Sequence, residues 1–208
     1  MKKKTVALFA AFVLIVVSIV GGTLAWLTDQ TEGIVNTFTT SDIHVTLTES
    51  VDTDGDGKQS FQMIPGYTIQ KDPVVTVQTG SEECYLFVQL ATANDFAKYL
   101  TYEMAADASG SPVWTQLKDK NGTDVKGVFY RMVTAADMGK PYSVLKNDQV
   151  SVLDSVTKAD METLDQSGAY PTLTVKAYAS QYHKNATEIF QPHEAWANVF
   201  NPTGAIVP

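Results

Sequence analysis

The feature that most constrains the fold of this chain is a series of short runs in which apolar and polar residues alternate. In the clearest run, Leu173, Val175, Ala177 and Ala179 occupy every second position. A period of two places these side chains on one face of a β-strand, where they can be buried together. Similar runs occur at residues 43–48, 73–77, 85–90, 127–133 and 150–152.

Turn sequences separate these runs. Pro65-Gly66, Asn121-Gly122 and Ser167-Gly168 all lie between them, and glycine at such positions favours tight turns. Many short strands joined by turns are typical of β-sandwiches and jelly rolls. We therefore predict an all-β fold, a jelly-roll-like antiparallel β-sandwich with short helical insertions.

Two segments have the composition of short helices rather than strands. Residues 93–99 have two N-cap candidates, Thr92 or Asn94, and residues 158–164 follow the candidate Thr157. Side chains of this kind accept hydrogen bonds from the first free amides of a helix. Both helices are predicted to lie in loops between strands.

The first 25 residues have the pattern of a secretory signal peptide. Three lysines at positions 2–4 precede an apolar run over 6–20, which is shorter than the roughly 20 residues needed to span a bilayer. Thr23 and Ala25 are small residues at the positions that a signal peptidase reads, so cleavage is predicted after Ala25, with Trp26 first in the mature chain. The alternative is an uncleaved N-terminal membrane anchor. Residues 26–208 then form a single sandwich domain outside the cytoplasm.

Charge and cysteine content narrow the class of protein further. Loss of the three lysines takes the formal charge from −8 to −11. An acidic chain does not favour nucleic acid, whose phosphates require positive charge. Cys84 is the only cysteine, so no internal disulfide forms. It is predicted to be a buried, inert thiol, and a reactive or intermolecular thiol is the alternative.

One local sequence indicates a calcium site. Asp52, Asp54 and Asp56 alternate with residues that include Gly55 and Gly57, as in the first half of a calcium-binding loop. The strong ligand expected at the twelfth position is missing, because Met63 stands there. The alternative is a solvated hairpin turn, since Asp-Gly pairs favour turns. No other cofactor is predicted.

Several segments occur in a fixed order along this chain, namely GGTLAWLTDQTEGIVNTFTTSDIHVTL at residues 21–47, the Met63–Tyr67 turn with Lys71-Asp72-Pro73, the strand beginning Cys84-Tyr85-Leu86, and VKAYASQ at 175–181 with the later Ala195-Trp196. Together they resemble the TasA/camelysin family of exported Gram-positive proteins, in which the last two correspond to a closing strand and its tryptophan. The resemblance implies a jelly roll, processing by a SipW-type signal peptidase, and a place in the extracellular matrix or on the cell surface.

The resemblance also implies partners and a function. Related proteins assemble into biofilm fibres, so the expected partners are copies of this chain and related matrix proteins. Residues 26–38, with Trp26, Ile34 and Phe38, are expected to add as a strand to another copy or to pair within their own domain.

Two other functions remain open, a secreted camelysin-like metalloprotease and a surface-binding β-sandwich module. The protease is disfavoured, and no enzyme is predicted, because His193-Glu194 is followed by Ala197 where a zinc-binding helix needs its second histidine.

Overall fold

The computed structural model describes residues 42–50 and 60–200, and within them the chain is mainly antiparallel β-sheet. The strands are β1 (Val45–Thr48), β2 (Thr68–Gln70), β3 (Val74–Val77), β4 (Cys84–Ala93), β5 (Leu100–Thr101), β6 (Thr115–Lys118), β7 (Asp124–Val133), β8 (Pro141–Ser143), β9 (Gln149–Val152) and β10 (Thr172–Gln181). The helices are α1 (Phe96–Tyr99), α2 (Lys158–Ser167) and α3 (Pro192–Phe200). In this part of the chain no helix is long and apolar enough to cross a membrane.

The longest strands form one four-stranded sheet in the order β10-β4-β7-β6. Strand β4 pairs along its whole length with β10, from Cys84 opposite Gln181 to Ala93 opposite Thr172. We call this the back sheet. Its strands confirm the alternating runs at 85–90, 127–133 and 173–180, because period-two alternation already fixes which side chains share a face.

Two smaller sheets form a front layer, in the orders β1-β3-β8 and β2-β9-β5. Strands β2 and β3 are consecutive in the chain, and they pair with β9 and β8 respectively. Two backbone hydrogen bonds join the two pairings, from Lys71 N to Asp148 O at 2.8 Å and from Val144 N to Pro73 O at 2.9 Å. The front layer is therefore built on one long antiparallel pair that bends where it passes from one sheet to the next.

The main core lies between the front layer and the back sheet. Val75 and Val77 of β3 and Leu86 and Val88 of β4 are fully buried in it. Cys84 is also fully buried here, which confirms the predicted buried thiol. Burial raises the pKa of this thiol to about 11 because the thiolate would lose its hydration.

The outer face of the back sheet has a second core, and helix α3 covers it. Tyr85 and Phe87, which alternate with the main-core residues of β4, pack here with Ala195 of α3. The Trp196 ring lies 5.2 Å from the Phe87 ring and 5.5 Å from the Tyr178 ring, measured between centroids. The back sheet is thus buried on both faces, which makes the molecule a sandwich with a helix on one outer side.

The predicted helices are partly correct. Helix α2 begins after Thr157 as predicted, and Thr157 and Asp160 form a reciprocal capping box. The first helix is shorter than predicted, since α1 begins only at Phe96. Neither Thr92 nor Asn94 is its N-cap, because β4 continues to Ala93 and the N-cap is Asp95, which has a left-handed backbone and no side-chain capping bond.

Helix α3 is absent from the sequence prediction. Ala195 and Trp196, which were compared above with a family tryptophan that follows the closing strand, both lie in this helix. Trp196 nevertheless contacts the predicted last strand through Tyr178 of β10.

Candidate assembly surface

Strands β1 and β10 form one rim of the sandwich, and the core is incompletely covered there. Val45 of β1 lies opposite the buried Val77, and Ala177 of β10 lies opposite the buried Val88. Both Val45 and Ala177 point into the main core yet remain partly exposed, whereas their partners one strand further in are fully buried. The apolar side chains of the main core therefore become exposed to solvent at the two edge strands.

The two edge strands of this rim lie close together but are not paired with each other. Strand β1 is near β10, and each forms a ladder on one side only, with β3 and β4 respectively, within the described residues. Strand β10 keeps an unbroken register over ten residues. A long, regular edge strand presents a row of backbone amides and carbonyls that can pair with another strand. We call residues 45–48 and 172–181 the open rim.

The opposite rim of the sandwich is closed by contrast. The indole of Trp114, which is 2 % exposed, donates a hydrogen bond of 2.8 Å to the carbonyl of Ser143 in β8. The back sheet ends there with β6, a strand of four residues whose pairing with β7 is interrupted between Gln116 and Lys118. Short and irregular edges of this kind discourage pairing with another chain.

A single side chain stabilises that irregularity. The Gln116 amide nitrogen donates to the carbonyls of Val125, at 2.8 Å, and Val128, at 3.0 Å. These carbonyls belong to the part of β7 that bulges away from β6. The bulge is therefore hydrogen-bonded internally rather than left open to a partner.

The Glu83 carboxylate connects the segment that follows β10 with the segment that follows β7. Glu83, just before β4, accepts a hydrogen bond of 3.2 Å from the amide of Ala135 and lies 3.3 Å from Nε2 of His183. Its backbone carbonyl accepts from the amide of Tyr182 at 3.0 Å. The Ala135 amide, followed by His183, lowers the pKa of Glu83.

The predicted cleavage site, donor segment and calcium site lie outside the residues that the structure describes. Ala25 and Trp26, the donor segment 26–38, and the calcium candidates Asp52, Asp54 and Asp56 all lie there. Beside the Asp-rich segment, the amide of Ser50 donates to a carboxylate oxygen of Asp72 at 3.1 Å.

The three histidines lie in three different segments of the chain. His44 contacts Asp42 at 3.1 Å, His183 contacts Glu83, and His193 lies in α3. Among residues 42–50 and 60–200, no three His, Cys, Asp or Glu side chains are grouped so that they could hold a metal ion.

Comparisons of the chain with protein-family models, with curated proteins and with solved structures found no match. The class that the fold defines is an antiparallel all-β protein, and its most distinctive surface is the open rim.

Proposed function

We propose that this chain is an exported structural protein of the cell surface or biofilm matrix, and that it assembles into fibres by strand addition between subunits. The observation that carries the proposal is the partly exposed core along β1 and β10. A strand added at this rim would cover apolar side chains and satisfy the backbone groups of a ten-residue edge. Both effects favour association.

The proposed donor is residues 26–38. This segment carries Trp26, Ile34, Val35 and Phe38, which are more apolar than a surface segment requires. Main-chain hydrogen bonds would supply affinity, and alternate side chains such as Ile34 and Phe38 would set the register. A donor from one subunit in the rim of the next is a head-to-tail contact, which produces an open filament when the rotation does not close.

A jelly roll is the finer fold that we propose, and the strand order supports it. Counting β2-β3 and β8-β9 each as one bent strand gives eight strands, with a back sheet in the order 8-3-6-5 and a front layer in the order 1-2-7-4. A jelly roll has the orders 1-8-3-6 and 2-7-4-5. The inner strands agree, and only the edge strands 1 and 5 have changed sheets. The position of β1 beside β10 fits this relation.

Export is the remaining part of the proposal, and it rests on residues 1–25. Cleavage by a SipW-type peptidase after Ala25 would free Trp26 as the first residue of the donor. Mass spectrometry of protein from the culture medium should give Trp26 as the N-terminus. If the main species is a full-length chain in the membrane fraction, the segment is an anchor and the donor is not released.

The assembly experiment compares the mature chain with a variant lacking residues 26–38. We expect the deletion variant to stay folded by circular dichroism but to form no fibres by electron microscopy. A second variant, Val175→Lys, places a charge on the inward side of the open rim, where the long side chain can still reach water. Thr174→Lys is its control, because Thr174 is exposed on the other side of the same strand. Fibres of unchanged length from the deletion variant would overturn the mechanism.

A further inference from the structure

Arg131 is the only arginine of the chain, and its position is unusual for a charged residue. It lies on β7 opposite Leu86, so its side chain starts from the core-facing side of the back sheet. The guanidinium reaches the closed rim, where its central carbon lies 3.6 Å from the centroid of the Tyr142 ring. Arg131 is half-buried.

Two other cations stack on aromatic rings in the described residues, and both have a carboxylate partner. Lys98 lies over Tyr99 and pairs with Asp160 at 3.0 Å. Lys184 lies over the Phe190 ring and pairs with Glu194 at 2.9 Å. Arg131 has no carboxylate within 4.0 Å among the residues that the structure describes.

Three lysines in the described part of the chain form no ion pair with a described acidic residue, and all three are exposed, namely Lys120, Lys126 and Lys176. Water hydrates those charges, whereas Arg131 is withdrawn from it. Its Nε is buried and has no acceptor among the described residues, and its Nη1 has only a 3.5 Å contact with the Val113 carbonyl. A buried donor without an acceptor is costly, and an apolar side chain would fill the same space without that cost.

Near Arg131, a lysine and an acid are paired with each other. Asp137 is the nearby acid, and its carboxylate is already bonded to Lys140 at 2.7 Å and to the Thr134 hydroxyl at 2.8 Å. Asp137 raises the pKa of Lys140, and the positive charge of Arg131 opposes that shift, so the two cations are close enough to interact.

We propose that Arg131, placed over the ring of Tyr142, is a binding site for a carboxylate. The planar fork of a guanidinium matches the two oxygens of a carboxylate, and stacking on a ring fixes the fork in advance. A singly charged group suits a chain of formal charge −8 better than a multiply charged anion. The carboxylate can come from a small acid in solution or from an acidic side chain of a second copy.

The test uses protein expressed from the full-length sequence and purified in the form in which the host processes it. Sodium acetate replaces sodium chloride at constant ionic strength while the melting temperature is recorded. We expect a saturable rise of about 3 °C. Arg131→Gln should abolish the rise, and Arg131→Lys, which keeps the charge but not the fork, should retain a small part of it.

Lys184→Gln is the matched control, because it removes a stacked cation that already has its own carboxylate. This variant should respond to acetate as the unmodified protein does. If Arg131→Gln does not fold, the comparison of Arg131→Lys with Lys184→Gln still decides the matter. Equal responses of those two variants would overturn the site.

Sedimentation over a range of protein concentrations separates the two sources of carboxylate. Association that acetate reverses and that Arg131→Lys weakens identifies the second copy as the source. A saturable acetate response without association identifies a small acid. A melting temperature that is unchanged by acetate, together with association that does not depend on Arg131, would refute the proposal.

Discussion

The backbone of Gly127 lies directly against the carbonyl oxygen of Leu90, at the point where β7 leaves β4. A β-carbon at position 127 would overlap that oxygen, and Gly127 also has a φ of +69°. Gly127→Ala should therefore lower the free energy of unfolding by about 2–5 kcal/mol, since it adds backbone strain to a clash with main chain that has no room to move. Urea unfolding measures this loss.

Gly122 provides the control for that substitution. Its φ is +83°, but nothing lies within 4 Å of where its β-carbon would be. Gly122→Ala should cost only the strain of the left-handed backbone, about 1 kcal/mol. Equal losses at the two positions would show that the contact with Leu90 has no energetic weight.

Gln116→Met should destabilise the protein by about 1–3 kcal/mol, because it leaves the Val125 and Val128 carbonyls without their shared donor. Gln78→Met is a suitable comparison, since the Gln78 amide makes one exposed hydrogen bond, of 3.0 Å to Thr46. Thermal unfolding of both variants is the measurement. A melting temperature for Gln116→Met no lower than that for Gln78→Met would contradict the role of this side chain.

The capping box of α2 predicts a dependence on acid. The Thr157 side chain, followed by its backbone amide and by Lys98, lowers the pKa of Asp160 from 3.8 to about 2. Because the folded-state pKa is the lower one, the stabilisation is present above about pH 4 and is lost as the pH falls towards 2. Titration of the carboxyl carbon by NMR should give the low value, and Thr157→Ala should raise it more than Lys98→Met does. An Asp160 that titrates near 3.8 in the folded protein would be inconsistent with this contact.

Cys84 should resist modification in the native protein. The thiol is fully buried and its pKa is raised to about 11, so very little thiolate exists at pH 8 and reagents have no access to it. Iodoacetamide should label Cys84 only after denaturation, as followed by mass spectrometry. Labelling of the folded protein at the rate of a free thiol would mean that this part of the core opens readily.

The sequence predicts the long strands well, because alternation in β4 and β10 reflects burial that both strands share. We did not predict α3, although Ala195 and Val199 are four residues apart, as on one face of a helix. Pro192 at the first helical position is the signal that was available. Glu194, three residues after Gln191, is a second signal. Its carboxylate accepts a hydrogen bond of 2.8 Å from the Gln191 amide at the start of the helix.

The rims are harder to predict than the strands. Val45 and Val77 are both valines in alternating runs, yet only Val77 is fully buried. The difference arises because β1 is at the edge of its sheet and β3 is in the middle, and strand order is a property of the whole topology. The same limit applies to Arg131, whose stacking on Tyr142 joins two strands that nothing in the local sequence pairs.

The burial of β4 on both faces has a consequence for the order in which this chain can fold. Its inward side chains need the front layer, and its outward side chains Tyr85 and Phe87 need α3, near the end of the described chain. Its pairing partner β10 is also made late. A chain that emerges from the ribosome N-terminus first therefore cannot bury both faces of β4 until β10 and α3 have also appeared. The back sheet should therefore fold in a late event that follows the emergence of α3.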